Sequence, residues 1–402
     1  MTIFFSVGEP SGDLHGANLI RALRRRHGDW QFVGYGGPRM AEAGCALHTD
    51  LTQLAVMWIA RVLVNLHKFL GLLLRADRYF RDQRPHAVVL IDYPGFNWWI
   101  ARRAKARGIP VFYYGAPQLW AWASHRVKKM RRNVDHVLCK LPFEEQWFRQ
   151  RACHATYVGH PYFDELRSQR LDQAFVERAK TGGPLVTILP GSRTQEVEAN
   201  TETFLRAAAL IAQRVPEVRF AVAAFKTAQA EMVTRMAAEA QLTVDVHVGR
   251  TPELIHAATC CLACSGSVSL ELLYHAKPSV ILYQVSQLGY AIQSRYRKVR
   301  YITLVNLLTA ENPSTERPAA VYDPADPRDA HVLLPEYLTC EDKSRDLAGH
   351  CIEWLTDAEA MRRRVAALEA LRDRFATGGA SARAAEYIDR ALGDAGGARA
   401  AA

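Results

Sequence analysis

The sequence predicts an α/β protein of two domains, each a mostly parallel sheet with helices on both faces. Three observations predict it. Short, wholly apolar runs such as residues 87–91 (AVVLI) and 186–189 (VTIL) read as strands buried on both faces. These runs alternate with longer stretches that carry apolar residues at helical spacing. A polar stretch ending at residues 181–184 (TGGP) separates two repeats of the pattern. The chain has 402 residues, 49% of them hydrophobic, enough for two or three domains with a core in each.

In the first repeat, residues 2–7 form a strand and residues 8–16 (GEPSGDLHG) a Gly-rich loop. A helix over 17–26 follows, with Leu19, Ala22 and Leu23 inward, then a strand over 31–36. Residues 54–74 (LAVMWIARVLVNLHKFLGLLL) have helical spacing, but their apolar stripe is wider than one buried face needs. Arg61, His67 and Lys68 interrupt it, so it falls short of the ~20 apolar residues of a spanning helix. Two readings stay open: a core helix, or an interfacial helix dipping into a bilayer. Residues 87–91 end at Asp92, where open parallel sheets bind ligands, although an Asp there also commonly caps the next helix. Strands at 110–114, 135–139 and 156–158 follow, with the basic run Arg126, Lys128, Lys129, Arg131, Arg132 between the first two.

In the second repeat, residues 186–198 (VTILPGSRTQEVE) read as strand, tight turn and helix start. Ser192 is a candidate cap, and free backbone N–H groups beside Arg193 suit a diphosphate. Residues 265–271 (SGSVSLE) form a second small-residue loop at a helix start, with hydroxyls and the carboxylate of Glu271. Residues 311–334 carry four prolines and read as a long exposed loop or insertion. The expected domains are 1–182 and 183–357. A helix over 358–392 packs back on the first domain, and 393–402 form a disordered tail.

The net charge of +10 favours an anionic partner: nucleic acid, acidic lipid or a phosphorylated substrate. The basic residues are scattered and no nucleic-acid-binding motif is present, so a nucleic acid is not expected. The eight cysteines suit a reducing cytosol, and Cys260, Cys261 and Cys264 read as buried small hydrophobes rather than metal ligands. The N-terminal residues lack the basic region and cleavage site of a signal peptide. The P-loop, H-E-x-x-H, G-x-S-x-G and G-x-G-x-x-G patterns are all absent. A nucleotide in the second half and an acceptor in the first is the layout of a two-domain glycosyltransferase.

Motifs along nearly the whole chain carry a specific resemblance. They include residues 6–13 (SVGEPSGD), 34–40 (GYGGPRM), 91–97 (IDYPGFN), 141–144 (LPFE), 158–161 (VGHP), 189–193 (LPGSR) with Glu196, 265–267 (SGS) with Glu271, and 305–308 (VNLL). In these the sequence resembles the lipid-A-disaccharide synthase family of inverting glycosyltransferases. The resemblance implies a GT-B fold, two Rossmann-like domains facing a central cleft, with an apolar membrane-associating helix in the first. It implies a reaction joining UDP-2,3-diacylglucosamine to 2,3-diacylglucosamine 1-phosphate through a β-1,6 link, releasing UDP, with no metal and no cofactor. Other UDP-sugar enzymes of this architecture, such as UDP-GlcNAc 2-epimerases, are the nearest alternative.

By carry-over, Asp92 is the general base and Arg193 holds the departing diphosphate. Gly191, Ser192, Ser265, Gly266, Ser267, Glu271 and Asn306 contact the donor, Glu271 through the ribose. Glu9, Ser11, Gly12, Asp13, Asn97 and His160 line the acceptor side. Trp58, Val62, Leu63, Leu66, Phe69 and Leu70 meet an anionic inner leaflet, which makes the protein cytoplasmic and peripheral on that membrane. A homodimer is a further partner the resemblance leaves open.

Overall fold

The computed structural model describes residues 1–55, 66–310, 313–315 and 320–400. The chain forms two compact units, one of Met1–Asp164 with Gly378–Ala402 and the other of Glu165–Thr377. Among the described residues no helix is long and apolar enough to cross a membrane.

The first unit is built on a seven-stranded sheet in the order β3-β2-β1-β4-β5-β6-β7. Its strands are β1 (Thr2–Val7), β2 (Gln31–Gly36), β3 (Cys45–Asp50), β4 (Ala87–Ile91), β5 (Val111–Tyr114), β6 (His136–Cys139) and β7 (Ala155–Tyr157). Every pairing is parallel. Parallel strands need crossover helices on both faces, which is why β4 and β5 are buried at every residue. The strand order reverses between β1 and β4, where Val7 pairs with Ile91. That reversal opens a crevice at the strands' C-terminal ends.

The second unit carries a six-stranded parallel sheet in the order β10-β9-β8-β11-β12-β13. Its strands are β8 (Leu185–Leu189), β9 (Arg219–Ala224), β10 (Asp245–Val248), β11 (Cys260–Cys264), β12 (Ser279–Gln284) and β13 (Glu336–Thr339). The switch point lies between β8 and β11, where Leu189 pairs with Ala263. Val186 and Ile188 pack with Val197, Phe204 and Ile211 of the long Thr194–Arg214 helix, and Trp354 closes the same core. Cys260, Cys261 and Cys264 are buried free thiols in this sheet, as expected.

Several expectations need correction. The Gly-rich loop after β1 is short, because the helix begins at Pro10, whose fixed φ suits a first helical position. The boundary between units falls at Asp164, not at 182, because the Gln173–Lys180 helix packs on the Thr251–Ala257 helix of the second unit. The expected helix over 358–392 is two helices, Ala358–Phe375 and Ala380–Ala400. Gly378 and Gly379, both at positive φ, break it, and only the second helix joins the first unit. There Ala384, Ala385, Ile388 and Leu392 pack with Leu19 and Leu23, and the Asp164 carboxylate accepts the Ala380 and Ser381 amides at 3.2 and 2.9 Å. That helix continues to Ala400 through the stretch expected to be disordered, where alanine favours the helical state.

The Pro-rich stretch is also not simply exposed. Arg300 bonds Asp326 at 2.8 Å and Asp329 at 2.7 Å, Tyr301 donates to Asp329 at 2.7 Å, and Val332 and Leu334 are buried.

Of the apolar segment 54–74, residues 56–65 lie outside the described residues, and with them Trp58, Val62 and Leu63. Leu66 opens a helix, Leu66–Gln83, which buries Phe69, Leu72, Leu73, Ala76 and Phe80. The Phe80 ring stands edge-on to Phe4 of β1 at 4.9 Å, and the Tyr35 hydroxyl donates to the Leu72 carbonyl at 2.7 Å. The described part is therefore a core helix. Phe69 belongs to its inner face, against Tyr93 and Phe96, and is not a membrane contact in this structure. Leu70 and Leu74 point outward, 52% and 60% exposed.

Candidate active site

Asp92 follows β4 at the switch point of the first unit, with φ of +46°. Tyr93 is also left-handed, at +43°, and serves as N-cap of the Pro94–Ala106 helix. Two consecutive non-glycine residues in that region cost of order 1–3 kcal/mol each, so the surrounding structure must hold them. Asn97 does much of this. Its amide donates to the carbonyls of Asp92 at 2.8 Å and Ser6 at 3.1 Å, while its oxygen accepts the Ser6 hydroxyl at 2.7 Å. Tyr113 donates to the same Asp92 carbonyl at 2.6 Å. Gly8 completes the turn, since a Cβ there would lie 2.4 Å from the Tyr93 ring.

The strained turn releases the Asp92 carboxylate from any capping role. It meets instead the ammonium of Lys140, 3.3 Å away. Lys140 follows β6 and reaches across the end of β5, where a Cβ on Gly115 would crowd its chain at 3.3–3.4 Å. Burial alone would lower the Lys140 pKa, but Asp92 and Glu144 outweigh it and hold the ammonium charged. Glu144 is fully buried, capping its helix through the Lys140 and Leu141 amides and accepting the Trp120 indole N–H at 3.0 Å.

His15 and His160 lie edge-on to each other at 6.4 Å between ring centroids. Burial pushes His15 down to about 4; Asp92 opposes that shift and Lys140 adds to it. Burial, with Lys140 and His15, also pushes His160 well below its ordinary value. Both rings are thus neutral at pH 7. Of the expected acceptor residues, Glu9 and Ser11 are exposed, while Gly12, Asp13, Asn97 and His160 are buried. Asp13 is committed elsewhere: its carboxylate accepts the Gly37, Arg39 and Met40 amides at 2.9–3.1 Å and anchors the Pro38–Glu42 helix.

The second unit places both expected donor loops at its own switch point, after β8 and β11. The loop amides are not free, however. Glu196 accepts from the amides of Ser192 and Arg193, both at 3.2 Å, and from the Arg193 guanidinium at 2.7 Å. Arg193, not Ser192, is the N-cap, and Glu196 is the third helical residue that closes the capping box. Gly191 has φ of +136°, and a Cβ there would strike that of Glu196 at 2.5 Å. The Arg193 side chain is 79% exposed. Gly266 and Ser267 are exposed, and Ser265 donates to the Ile302 carbonyl at 3.2 Å. Glu271 is buried in the first turn of the Val268–Tyr274 helix.

Asn306 is fully buried. Its amide donates to the Leu334 carbonyl at 2.7 Å and to Glu336 at 2.8 Å, and its oxygen accepts the Leu334 amide at 3.1 Å. Glu336 also takes the Thr303 hydroxyl at 2.6 Å and the Ile302 and Thr303 amides. Burial raises Glu336 to about 7 despite these four donors. The network pins residues 302–306 to β13, and so sets the carbonyl on which Ser265 rests.

Lys140, Glu336 and Asn200 were not singled out from the sequence. The only signal for Lys140 is a lysine just past the end of a strand. Among the described residues no group of three or more His, Cys, Asp or Glu is arranged to hold a metal ion.

The comparisons with known proteins agree with this architecture. Residues 3–361 match the family model described as Lipid-A-disaccharide synthetase. The chain is 33% identical to the lipid-A-disaccharide synthase of Trichlorobacter lovleyi, over 96% of both chains. It is 37% identical to that of Idiomarina loihiensis, over 76% of this chain and 82% of the other. Among solved structures it is similar in fold to a UDP-N-acetylglucosamine 2-epimerase from Listeria monocytogenes, an activity assigned to that protein only as putative. The TM-score is 0.64 at 10% identity, covering 98% of this chain and 96% of that one. The calicheamicin glycosyltransferase CalG4 matches with TM-score 0.58 at 16% identity, covering 98% of each. The two parallel sheets place these structures and this chain in one fold class, and the family match and full-length relatives show that the chain belongs to the lipid-A-disaccharide synthase family of glycosyltransferases.

Proposed function

We propose that synthesis of the lipid A disaccharide by this chain runs through Asp92 and Arg193. The observation that carries this is the strained turn at Asp92, which directs a carboxylate away from helix capping, at the switch point of the sheet. In this reading the donor is UDP-2,3-diacylglucosamine and the acceptor 2,3-diacylglucosamine 1-phosphate. Asp92 takes the proton of the acceptor's 6-hydroxyl as that oxygen bonds to the anomeric carbon of the donor. The bond from that carbon to the diphosphate oxygen breaks, and UDP leaves with the electron pair, inverting the centre. Arg193 stabilises the charge on the departing diphosphate. It must exchange Glu196 for phosphate, which its high exposure allows. Ser192, Ser265, Gly266 and Ser267 contact the diphosphate or uridine, and Glu271 the ribose. Lys140 keeps Asp92 oriented and compensates its charge. Glu9, Ser11 and His160 line the acceptor side, and no metal or cofactor takes part.

The same reading places the chain on the inner face of the cytoplasmic membrane, with Leu70 and Leu74 among its apolar contacts. The excess of Lys and Arg suits anionic lipid and a phosphorylated acceptor. The test is incubation with both diacylated substrates, followed by assay of UDP and disaccharide for the wild type and Asp92→Asn. The expected result is product with the wild type and at least a hundredfold less with the variant, while UDP binding is retained. Wild-type turnover by the variant would remove Asp92 from the base role.

A further inference from the structure

The Gln287–Tyr296 helix of the second unit carries an exposed stripe of large apolar side chains. Leu288, Ile292 and Tyr296, spaced by four residues and so on one face, are 72%, 52% and 61% exposed. The half-buried residues of the helix are Gly289, Tyr290 and Gln293, and Arg297, which follows it as the C-cap, is 1% exposed. Burial lowers the Arg297 pKa, opposed by the neighbouring Tyr290 and Glu336, which marks a guanidinium held inside the unit. No residue of the helix itself is buried. A continuous stripe of large apolar side chains left in water is unfavourable unless something apolar covers it.

The helix is rooted at the donor loops. It leaves β12 just after Gln284, and β12 pairs with β11, whose Cys264 is followed by Ser265. Asn200 ties the root directly to the other loop. Its side-chain amide donates to the Pro190 carbonyl at 3.1 Å, and its oxygen accepts the Gln284 amide at 3.0 Å. The strand end from which the helix departs is thus tied to the turn that carries Arg193. The three side chains are eight helical steps apart from first to last, about 12 Å along the helix axis.

We infer that the Leu288–Ile292–Tyr296 face of this helix is an acyl-binding surface that covers one fatty chain of the diacylated donor. This rests on the donor nucleotide lying at the Arg193 and Ser265 loops. A sugar bound there by its diphosphate must place two long chains nearby, and an outward apolar stripe rooted at those loops offers one of them cover from water. The stripe then acts in donor specificity, separating acylated from bare UDP-sugars, while the loops supply the affinity for the nucleotide.

The test uses the full chain with Leu288→Ser/Ile292→Ser, and separately Tyr296→Ser. Four quantities are read: the KM for UDP-2,3-diacylglucosamine in mixed micelles, the Kd of UDP, co-sedimentation with phosphatidylglycerol/phosphatidylethanolamine vesicles, and Tm. All three residues are exposed, so Tm should hold. The double variant should raise the donor KM about tenfold, from loss of two apolar contacts, and leave the Kd of UDP unchanged. An unchanged donor KM overturns the inference. So does a loss of vesicle binding with donor KM retained, which makes the stripe a membrane contact. Arg193→Ala is measured in parallel: if it leaves both the Kd of UDP and the donor KM unchanged, the donor placement itself fails, independently of the stripe.

Discussion

The Lys140 ammonium lies 3.3 Å from the Asp92 carboxylate, reaching it across the strand that separates them in the sheet. Both side chains are mostly buried, 15% and 20% exposed, so neither charge is fully solvated alone. Replacing Lys140 by Met leaves Asp92 uncompensated and should cost about 1–3 kcal/mol of stability and at least tenfold in kcat. The double variant Asp92→Ala/Lys140→Met should be more stable than the sum of the singles predicts. Urea unfolding of the four proteins measures that coupling. Additive losses would mean the pair does not interact.

Arg193 and Glu196 separate in the same way by role. Arg193→Ala should lower kcat/KM by about 10²–10³-fold, the loss expected for one group that stabilises a developing charge. Its 79% exposure predicts no change in Tm. Glu196→Ala removes a helix cap and should cost about 1 kcal/mol. Steady-state kinetics beside thermal melts separate the two effects. A fall in Tm for Arg193→Ala would make that residue structural.

Glu336 gives a pH signature. Its carboxyl is raised from 4.5 to about 7 by burial, so between those values the folded state binds the proton more readily than the unfolded. Stability contributed by the protonated form is complete below about pH 4.5 and falls as pH rises to about 7, by roughly 3 kcal/mol in all. Glu336→Gln should abolish this slope. Below about pH 4.5 it should be less stable than the wild type by about 1–3 kcal/mol, because one side of its amide is an NH2 that faces backbone or side-chain donors, and this difference should shrink as the wild type loses stability toward pH 7. Denaturant melts from pH 4 to pH 8 provide the check, and an unchanged slope in the variant would assign the dependence to another group.

Phe69 and Leu70 are adjacent in sequence and opposite in consequence. Phe69 is 8% exposed against Tyr93 and Phe96, so Phe69→Ser should cost about 3–5 kcal/mol. Leu70→Ser/Leu74→Ser alters exposed positions and should leave Tm in place while weakening co-sedimentation with anionic vesicles. Vesicle binding unchanged in that variant would move membrane docking to another surface.

The fold was legible in the sequence because parallel strands buried on both faces leave an apolar signature that survives without any partner in view. Asp92 and the Arg193 and Ser265 loops were legible for a related reason. Ligand residues in such sheets follow strand ends, and strand ends can be counted along the chain. The contacts of these residues were not legible. Lys140 meets Asp92 across 48 positions, and Glu336 meets Thr303 across 33. No local pattern encodes which distant side chain fills a given gap. Asn306 looked like a ligand contact from its motif, and burial shows it pinning a loop instead.

Hydrophobic periodicity and turn chemistry are local quantities, and they sufficed for two parallel sheets, most of their strands and the positions of the candidate loops, but not for the edge strand β3 or the Gln287–Tyr296 helix. Tertiary packing settled the rest: the boundary at Asp164, the break at Gly378 and Gly379, the commitment of Asp13 and Asn97 to the scaffold, and the inward turn of Phe69. In each of these cases the outcome depends on burial and on hydrogen-bond partners supplied from elsewhere in the chain. Such terms come into being only when the elements are packed together.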